Sequence, residues 1–194
     1  VADLGLPLFV KPARLGSSVG ISKVENASDL AGAVAEAFRF DTKVLIEEGI
    51  VGREIEVAVL GNRSPEASLP GEVIPKGAFY SYTAKYVDDD GAVLIAPADM
   101  GEELTERVRQ EAIRGFLALG CSGMARVDFF VTDKGEIVLN ELNTIPGFTR
   151  ISMYPRLWQV TGVTYPELVD RLVELAFERF AEESSLLTDY HSDH

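Results

Sequence analysis

The sequence predicts an α+β fold, and three observations carry that prediction. Apolar segments with the period of β-strands occur near residues 7–12, 44–59 and 126–143. Segments with the 3.6-residue period of amphipathic helices separate them. Short glycine-containing connections join neighbouring strands, as expected of antiparallel hairpins. With 194 residues, of which 46% are hydrophobic, the chain can bury a core in one domain or in two joined subdomains.

Three segments predict helices. Residues 28–38 begin at Ser28, which we expect to cap the first helix, and residues 102–119 form the second. The third opens with the capping box Thr164–Glu167, which carries a proline in the first turn. The predicted buried faces consist of Leu30, Val34, Ala37 and Phe38 in the first helix, Leu104, Val108, Ala112 and Phe116 in the second, and Leu168, Leu172 and Leu175 in the third.

Polar side chains interrupt the last predicted hairpin. Arg126 and Asp128 share one face of its first strand, and Glu141 and Asn143 share one face of its second. A two-residue loop, Lys134–Gly135, would set Asp128 opposite Glu141 and Arg126 opposite Asn143. A glycine bulge would instead shift that register by one residue.

These oxygen-bearing side chains suit a hard cation such as Mg²⁺, which usually binds together with substrate phosphates. The alternative is a solvated sheet face with a cross-strand ion pair, which contributes little to stability. The hairpin alone leaves both interpretations open.

A second candidate site lies near the beginning of the chain. Lys11 ends an apolar strand, and the turn Gly16-Ser17-Ser18-Val19-Gly20 follows it. Its backbone N–H groups and hydroxyls can converge on phosphate oxygens, to which Lys11 can add a positive charge. The turn is not a Walker A loop, because it lacks the GK[ST] sequence and a strand follows it. The alternative is an ordinary hairpin turn with a surface lysine.

A third segment, residues 44–59, reads as two strands around a glycine-containing connection with acidic residues at both edges. Such a connection can present backbone donors and acceptors to a purine, and a carboxylate to ribose hydroxyls. By itself it does not specify a ligand.

Taken together and in this order, these segments resemble the ATP-grasp ligases, and among them the family of D-alanine–D-alanine ligases. The matching stretches are VKPARLGSSVGISKV (10–24), VLIEEGIVGREIEVAVL (44–60), GEVIPKGAFYSYTAKY (71–86) and ARVDFFVTDKGEIVLNELNTIPGFTRISMYP (125–155). The resemblance implies an ATP-grasp fold in which a nucleotide is held between two α+β subdomains rich in antiparallel strands. Residues 1–48 would belong to the central subdomain and 49–183 to the C-terminal one, with 184–194 a disordered tail.

The resemblance also implies that the chain is a C-terminal fragment that lacks the family's N-terminal domain. That domain supplies part of the first D-alanine site and a carboxylate that helps to orient the loop serine.

The resemblance implies a role for each matching residue. Two Mg²⁺ (or Mn²⁺) ions would be held by Asp128, Glu141 and Asn143, with Glu141 bridging. ATP would be bound by Lys11, Ser17, Ser18, Glu47, Glu48, Ile50, Glu54 and Lys85, where Glu48 and Ile50 act through their backbone. Arg126 and the N–H of Gly147 would stabilise the oxyanion of the second step. The second substrate's carboxylate would be bound by Ser152, Met153 and Lys85, and Tyr86 would hydrogen-bond Ser17 to close the loops.

The implied reaction joins two D-alanines to D-alanyl-D-alanine at the expense of ATP, through an acyl phosphate, for peptidoglycan precursor synthesis. In the family, a Lys-Tyr pair like Lys85-Tyr86 marks enzymes that make the dipeptide. Relatives that make D-alanyl-D-lactate tend to carry a histidine in the segment that matches residues 77–91, and none is present here. Two alternatives remain, namely a ligase with another second substrate and a nucleotide-binding module without catalysis.

Composition restricts the partners and the compartment. A net charge of −13 argues against nucleic acid as a ligand, since a phosphate backbone requires a basic surface. The sequence itself predicts neither a signal peptide nor a membrane-spanning run. Cys121 is the only cysteine, which fits a reducing cytoplasm, and its glycine- and serine-rich flanks suggest a packing role at a helix end. We expect a homodimer when the protein is of full length, as is common in the family.

Overall fold

The computed structural model describes residues 3–75 and 92–187. The chain divides into two compact units, which are described separately. One unit comprises Val1–Gly52 and Ile74–Val93, and the other Arg53–Val73 and Leu94–His194. The predicted assignment of residues 1–48 and 49–183 to two ATP-grasp subdomains stays a prediction, and residues 188–194 of the predicted tail lie outside the described residues.

The first unit contains a three-stranded antiparallel sheet with one helix on it. The elements are β1 (Leu8–Pro12), β2 (Ser22–Val24), β3 (Val44–Glu48) and α1 (Leu30–Ala37). The strand order is β2-β1-β3, and the helix contributes Ala33 and Ala37 to a core with Leu8, Val10 and Val24. Alternation places Phe9 and Lys11 of the central strand on the other face, away from this core.

The prediction of Ser28 as a helix cap is wrong. A single 3-10 turn, Ala27–Asp29, precedes α1, and Asp29 takes the cap position without a side-chain bond to the helix. The Ser28 hydroxyl donates to the Asp29 carboxylate instead. The predicted buried face is confirmed for Ala37, with Leu30 and Val34 packed against the core, but Phe38 is exposed.

The second sheet has six strands. They are β4 (Arg53–Gly61), β5 (Glu66–Ala67), β6 (Gly71–Pro75), β7 (Ala92–Ile95), β8 (Gly123–Val131) and β9 (Ile137–Asn143). Their order in the sheet is β7-β6-β4-β8-β9, and the short β5 also pairs with β4. The long antiparallel pair of β4 and β8 is the centre of the sheet, and it sets Ile55 opposite Phe129 and Val57 opposite Val127 on one buried face.

Three helices pack around this sheet. They are α2 (Glu102–Ala118), α3 (Met153–Thr161) and α4 (Tyr165–Ser184). The predicted face of α2 is confirmed, since Val108, Ala112 and Phe116 are fully buried against the sheet and Leu104 packs beside them. Cys121 packs on the same core, as the sequence predicts.

The predicted cap of α4 is also confirmed. The hydroxyl of Thr164 accepts a hydrogen bond from the Glu167 N–H, and a proline occupies the first turn. The Glu167 carboxylate, however, pairs with Arg171 one turn later and does not complete the capping box.

The hairpin of β8 and β9 reaches the predicted pairing by a different route. Its loop has three residues, Asp133–Gly135, because the Thr132 N–H donates to the Glu136 carbonyl, and Gly135 has a φ of 74°. This loop shifts the register by one residue. A bulge then shifts it back, since Phe129 pairs with Leu139 but Asp128 pairs with Glu141, so that Asn140 has no partner residue.

The bulge decides which way Glu141 points. Without it Glu141 would lie opposite Val127, whose side chain belongs to the buried core. With it, Glu141 shares the face of Asp128, and Leu142 packs against the core instead. The polar face of the hairpin therefore depends on one extra residue.

Candidate active site

Five polar residues form a cluster on the face of the large sheet that lies opposite the core. Three carboxylates occupy one row across three neighbouring strands, with Glu56 of β4 opposite Asp128 of β8, and Asp128 opposite Glu141 of β9. Arg126 and Asn143 face each other in the next row. We call these five residues the acidic cluster. The predicted facing of Asp128 with Glu141, and of Arg126 with Asn143, is confirmed.

Arg126 is the organising cation of the acidic cluster. Its guanidinium donates two hydrogen bonds to Asp128, from Nε to Oδ1 at 2.7 Å and from one terminal nitrogen to Oδ2 at 2.7 Å. Its Nε also lies 3.3 Å from Oε2 of Glu56. The side chains of Glu56 and Asp128 are only 14% and 12% exposed, so these contacts are screened less than surface ion pairs are.

The environment of Arg126 favours its charged form. Burial is the largest single influence and works to lower the pKa of Arg126. The hydrogen bonds and charge of Asp128, with the charges of Glu56 and Glu141, outweigh it and raise that pKa above its ordinary value. The guanidinium therefore stays protonated at every pH at which the protein is folded.

Asn143 links the two carboxylates that flank it. Its Nδ2 lies 3.2 Å from Oδ2 of Asp128 and 3.2 Å from Oε1 of Glu141. The amide thus presents its donor side to two anions. Rotation of the amide by half a turn would present its oxygen to the same place, where a cation would be coordinated.

The donor set of the acidic cluster fits a magnesium ion. Two carboxylates and one amide oxygen are hard ligands of the kind that Mg²⁺ selects, and Mg²⁺ commonly takes only one or two carboxylates from the protein. Among these five residues, three carboxylates lie beside one guanidinium. Within residues 3–75 and 92–187, no three side chains of the His, Cys, Asp or Glu type converge on a common point. The site would therefore be completed by phosphate oxygens or water.

Part of the rest of this face is apolar. Ala58 and Leu60 lie on the same side of β4 as Glu56, and both are buried. Helices α3 and α4 contact β4, and we infer that they cover this end of the face. The acidic cluster lies beside this covered end.

The segment after β9 brings Gly147 and Ser152 together. A β-carbon on Gly147 would lie 3.0 Å from the Ser152 hydroxyl oxygen, so only glycine fits there without a shift. Phe148 packs against the rings of Tyr154 and Tyr165, with centroids 5.9 Å and 5.4 Å apart. The Tyr165 hydroxyl also donates to the Phe148 carbonyl at 3.0 Å. These contacts anchor the loop that carries Gly147 and Ser152.

Ser152 precedes α3 as its cap residue, but its side chain does not cap the helix. Its hydroxyl accepts from the Thr149 N–H at 3.0 Å and shares a hydrogen bond with the Thr149 hydroxyl at 2.8 Å. The Met153 side chain is buried, so only the backbone of Met153 is suited to a ligand. The N–H groups of the first turn of α3 carry the partial positive charge of a helix N-terminus.

The first unit brings Lys11 and Glu47 together. Both lie on the face of the small sheet opposite its helix, and Lys11 Nζ lies 2.6 Å from Oε2 of Glu47. Glu48 points to the other face, beside Leu8. Only the backbone of Glu48 is thus near the Lys11 side, which agrees with the role that the resemblance implies for it. Ile50 follows β3 and is half-buried.

The turn at Gly16–Gly20 has an unusual backbone. Ser17 and Ser18 have φ values of 56° and 59°, and the Val19 N–H donates to the Gly16 carbonyl at 3.2 Å. Two successive residues other than glycine with positive φ are strained by about 1–3 kcal/mol each, and such strain is concentrated at functional sites. The geometry is that of a tight turn with both central residues in the left-handed region.

Of the other predicted residues, Glu54 lies on β4 two residues before Glu56 and on the same face. Lys85 and Tyr86, with the whole segment 77–91, lie outside the described residues.

Two residues of the site escaped the sequence analysis. The sequence analysis assigned a role to Glu54 and none to Glu56, although the alternation Glu54-Ile55-Glu56 predicts that both face the same side of the strand. Thr149 has no signal in the sequence, since its contact with Ser152 depends on the fold of the loop.

The two-sheet α+β architecture and the acidic cluster define the class of protein, which is an ATP-grasp fold. The particular family follows from the sequence. Residues 1–174 match the family D-ala D-ala ligase C-terminus, and the chain belongs to this family.

The relatives of known sequence and structure agree. The chain is 56% identical over 184 residues to a D-alanine–D-alanine ligase of Oceanobacillus iheyensis. The aligned region covers 95% of this chain and 50% of that protein. It is similar to the solved D-alanine-D-alanine ligase of Coxiella burnetii, with 46% identity and a TM-score of 0.82 over 91% of this chain and 47% of the other. The VanG D-Ala:D-Ser ligase of Enterococcus faecalis has 42% identity and a TM-score of 0.82, over 90% and 50%. The chain thus spans about half the length of the relatives it matches.

Proposed function

We propose that this chain supplies the nucleotide and metal site of an ATP-dependent D-alanine–D-alanine ligase that makes D-alanyl-D-alanine for peptidoglycan precursors. The observation that carries the proposal is the acidic cluster, in which three carboxylates and an amide lie beside one half-buried arginine. Membership of the family supports the reaction, and the named activity of relatives at 56% and 46% identity supports the substrate.

In this proposal, Asp128, Glu141 and Asn143 hold two Mg²⁺ or Mn²⁺ ions. Bound there, the ions neutralise charge on the phosphates while the γ-phosphoryl group is transferred. The carboxylates of the acidic cluster favour cations, and Asn143 can turn its oxygen toward them. The number of ions comes from the family resemblance.

The ATP contacts are proposed from the first unit and from β4. Lys11 pairs with phosphate oxygens in this proposal, and its Nζ also lies 2.6 Å from Oε2 of Glu47. Ser17 and Ser18 cover the phosphates from a strained turn, which excludes water that would hydrolyse an acyl phosphate. Glu47, the backbone of Glu48 and Ile50, and Lys85 contact the nucleotide, and Glu54 accepts from the ribose hydroxyls.

The reaction has two steps. The carboxylate of the first D-alanine attacks the γ-phosphorus of ATP and expels ADP, which gives an acyl phosphate. The amine of the second D-alanine then attacks the acyl carbon, loses a proton, and expels phosphate to leave the amide bond. Arg126 and the Gly147 N–H stabilise the oxyanion of the second step, an effect worth several kcal/mol.

The second substrate is proposed to bind through its carboxylate. Ser152, the Met153 N–H and Lys85 would hold that group, supported by the positive end of the α3 dipole. Tyr86 would hydrogen-bond Ser17 and close the loops over the substrates. D-Serine is the second candidate for this position, because a D-Ala:D-Ser ligase has the same fold at 42% identity.

The proposal extends to the compartment and the assembly. A single cysteine fits a cytoplasmic protein. Within residues 3–75 and 92–187, no helix has the length and apolar content that a membrane span requires. We propose a homodimer for the full-length protein, with neither nucleic acid nor membrane as a partner.

A chimaeric ligase tests the proposal. The chain would replace the matching 184 residues of the Oceanobacillus iheyensis relative, and phosphate release from Mg-ATP would be measured with D-alanine, D-serine, D-lactate and L-alanine. We expect release that depends on D-alanine and a dipeptide product detectable by mass spectrometry. A folded chimaera that releases no phosphate with any amino acid, where the parent ligase is active, would refute the proposal.

A further inference from the structure

The row of carboxylates in the acidic cluster needs a cation to hold it together. Glu56 and Asp128 are directly opposite on neighbouring antiparallel strands, an arrangement that is destabilising for like charges. Arg126 relieves it, because the guanidinium bonds both oxygens of Asp128 and lies 3.3 Å from Glu56. Glu56 is thus part of the charge balance around Arg126, although the proposed function gives it no role.

The proposed function makes conflicting demands on Asp128. Both of its oxygens are engaged by Arg126, at 2.7 Å each. An oxygen of Asp128 that coordinates Mg²⁺ becomes a weaker acceptor for the guanidinium, because its electron density is shared with the ion. Arg126 carries the oxyanion role and must keep its position while its pair with Asp128 is weakened.

Glu56 is the carboxylate placed to keep Arg126 in position. Its Oε2 faces Arg126 Nε from the strand on the other side, and its side chain is only 14% exposed. Glu141 is turned elsewhere, since its Oε1 accepts from Asn143. Glu56 is also not drawn into a common ligand set with Asp128 and Glu141 among the described residues.

We propose that Glu56 is a positioning residue for Arg126. Glu56 holds the guanidinium of Arg126 in place when Asp128 binds the metal. The inference rests on the proposed function. It adds that Arg126 has two carboxylate partners, Asp128 and Glu56, and depends more strongly on Glu56 when Asp128 binds a metal ion.

Arginine side-chain NMR tests this directly on the 194-residue chain. The Nε–H signal of Arg126, assigned with Arg126→Lys, reports whether the group is held in a hydrogen bond through its hydrogen exchange rate. In the wild type we expect slow exchange both without ligand and with saturating Mg-ADP. In Glu56→Gln we expect slow exchange without ligand, where Asp128 still binds, and exchange faster by about tenfold or more with Mg-ADP.

Kinetics in the active chimaera give a second readout. Glu56→Gln should lower kcat by roughly tenfold, less than the 10²–10³-fold loss expected on removal of an oxyanion donor itself. The KM for ATP should change by less than about twofold, because the nucleotide contacts are untouched. Glu56→Asp, which keeps the charge on a shorter side chain, should recover part of the loss and serves if Glu56→Gln does not fold.

Glu66→Gln is the matched control, because Glu66 lies on the adjacent β5 and pairs with an arginine, Arg171, outside the acidic cluster. It should leave exchange and kcat unchanged. Two results would overturn the inference. One is an equal exchange rate of the Arg126 Nε–H in wild type and Glu56→Gln with Mg-ADP. The other is a Glu56→Gln variant in which Arg126 stays protected but Mg²⁺ no longer binds, since Glu56 would then be a metal ligand. A wild-type chain that binds no Mg²⁺ would remove the proposed function together with the inference, whereas normal wild-type binding with an unaffected Glu56→Gln removes the inference alone.

Discussion

Arg126 and Asp128 show how two residues on one strand can hold each other in place. Two residues apart on β8, they share a face and form a bidentate pair. The pair is largely shielded from solvent, since the two side chains are 22% and 12% exposed. In the proposed function, the oxygens of Asp128 would also coordinate a magnesium ion.

Asp128→Asn and Glu141→Gln are predicted to abolish turnover in the complete enzyme, by about 10³-fold or more, while the fold is retained. Each change keeps the shape of the side chain and removes the charge that the ions need. Steady-state phosphate release and circular dichroism would measure the two effects. Asp133→Asn, an exposed carboxylate in the loop of the same hairpin, is the control and should be neutral. Turnover within a factor of about two of wild type in either variant would remove the metal assignment.

Asp41 gives a prediction about pH. Partial desolvation works against ionisation of Asp41, but hydrogen bonds from the Lys43 and Arg14 amides and the charge of Arg14 outweigh it and lower the pKa of its carboxyl below 3.8. A folded-state pKa below the unfolded one stabilises the protein above the unfolded pKa, and that stability is lost as pH falls through the folded value.

Asp41→Asn should therefore lower the thermal midpoint at pH 7 and make no difference at the most acidic pH at which the chain folds. Thermal melts of both proteins from pH 7 down to about pH 3 would measure this. A difference between the two proteins that stays constant over that range would contradict the electrostatic account.

At the level of elements, close approach between a strand and a helix requires glycine at position 71 but not at position 115. A β-carbon on Gly71 of β6 would meet Leu157 Cδ2 at 2.8 Å, Met153 sulfur at 3.0 Å and the Ile95 carbonyl at 3.1 Å. Gly115, inside α2, has only ordinary contacts at 3.9 Å around the same point. The first glycine is required by packing, whereas the second is a helix residue of low propensity.

We expect Gly71→Ala to destabilise the protein by about 1–3 kcal/mol through overpacking. Gly115→Ala should stabilise it by roughly 0.5–1 kcal/mol, since alanine has the higher helix propensity. Chemical denaturation of the two variants beside the wild type measures both. Destabilisation by Gly115→Ala, or none by Gly71→Ala, would show that the packing around these strands and helices differs from that described.

The same scale explains why the candidate site could be predicted only in part. The sequence predicted that Asp128 would face Glu141 through a two-residue loop, and the pairing is confirmed although the loop has three residues. The sequence does carry a signal of the bulge at Asn140. In a regular strand, the apolar side chains at Ile137 and Leu139 would be followed by one at residue 141, but the next apolar residue is Leu142. Ser28 failed as a cap because the chain enters α1 through a 3-10 turn, a choice between two local geometries that composition does not decide.

For the whole molecule, motifs and periodicity were sufficient to predict the α+β class, the antiparallel pairing of β8 with β9 and the family. What they did not reach depends on contacts between distant segments. Glu56 belongs to the site because β4 lies beside β8, an adjacency between strands about seventy residues apart that no local signal encodes. The chain matches about half of each relative, so its chemistry is part of a longer ligase in those proteins.

The most direct test of the central claim, that the acidic cluster is a metal and nucleotide site, is a titration of the chain with Mn²⁺ in the presence of ADP, followed by electron paramagnetic resonance of the free ion. The account predicts binding by the wild type and by Asp133→Asn, and a dissociation constant raised by more than about tenfold in Asp128→Asn. Equal dissociation constants in all three proteins would contradict it, since the ion would then be bound somewhere other than at Asp128.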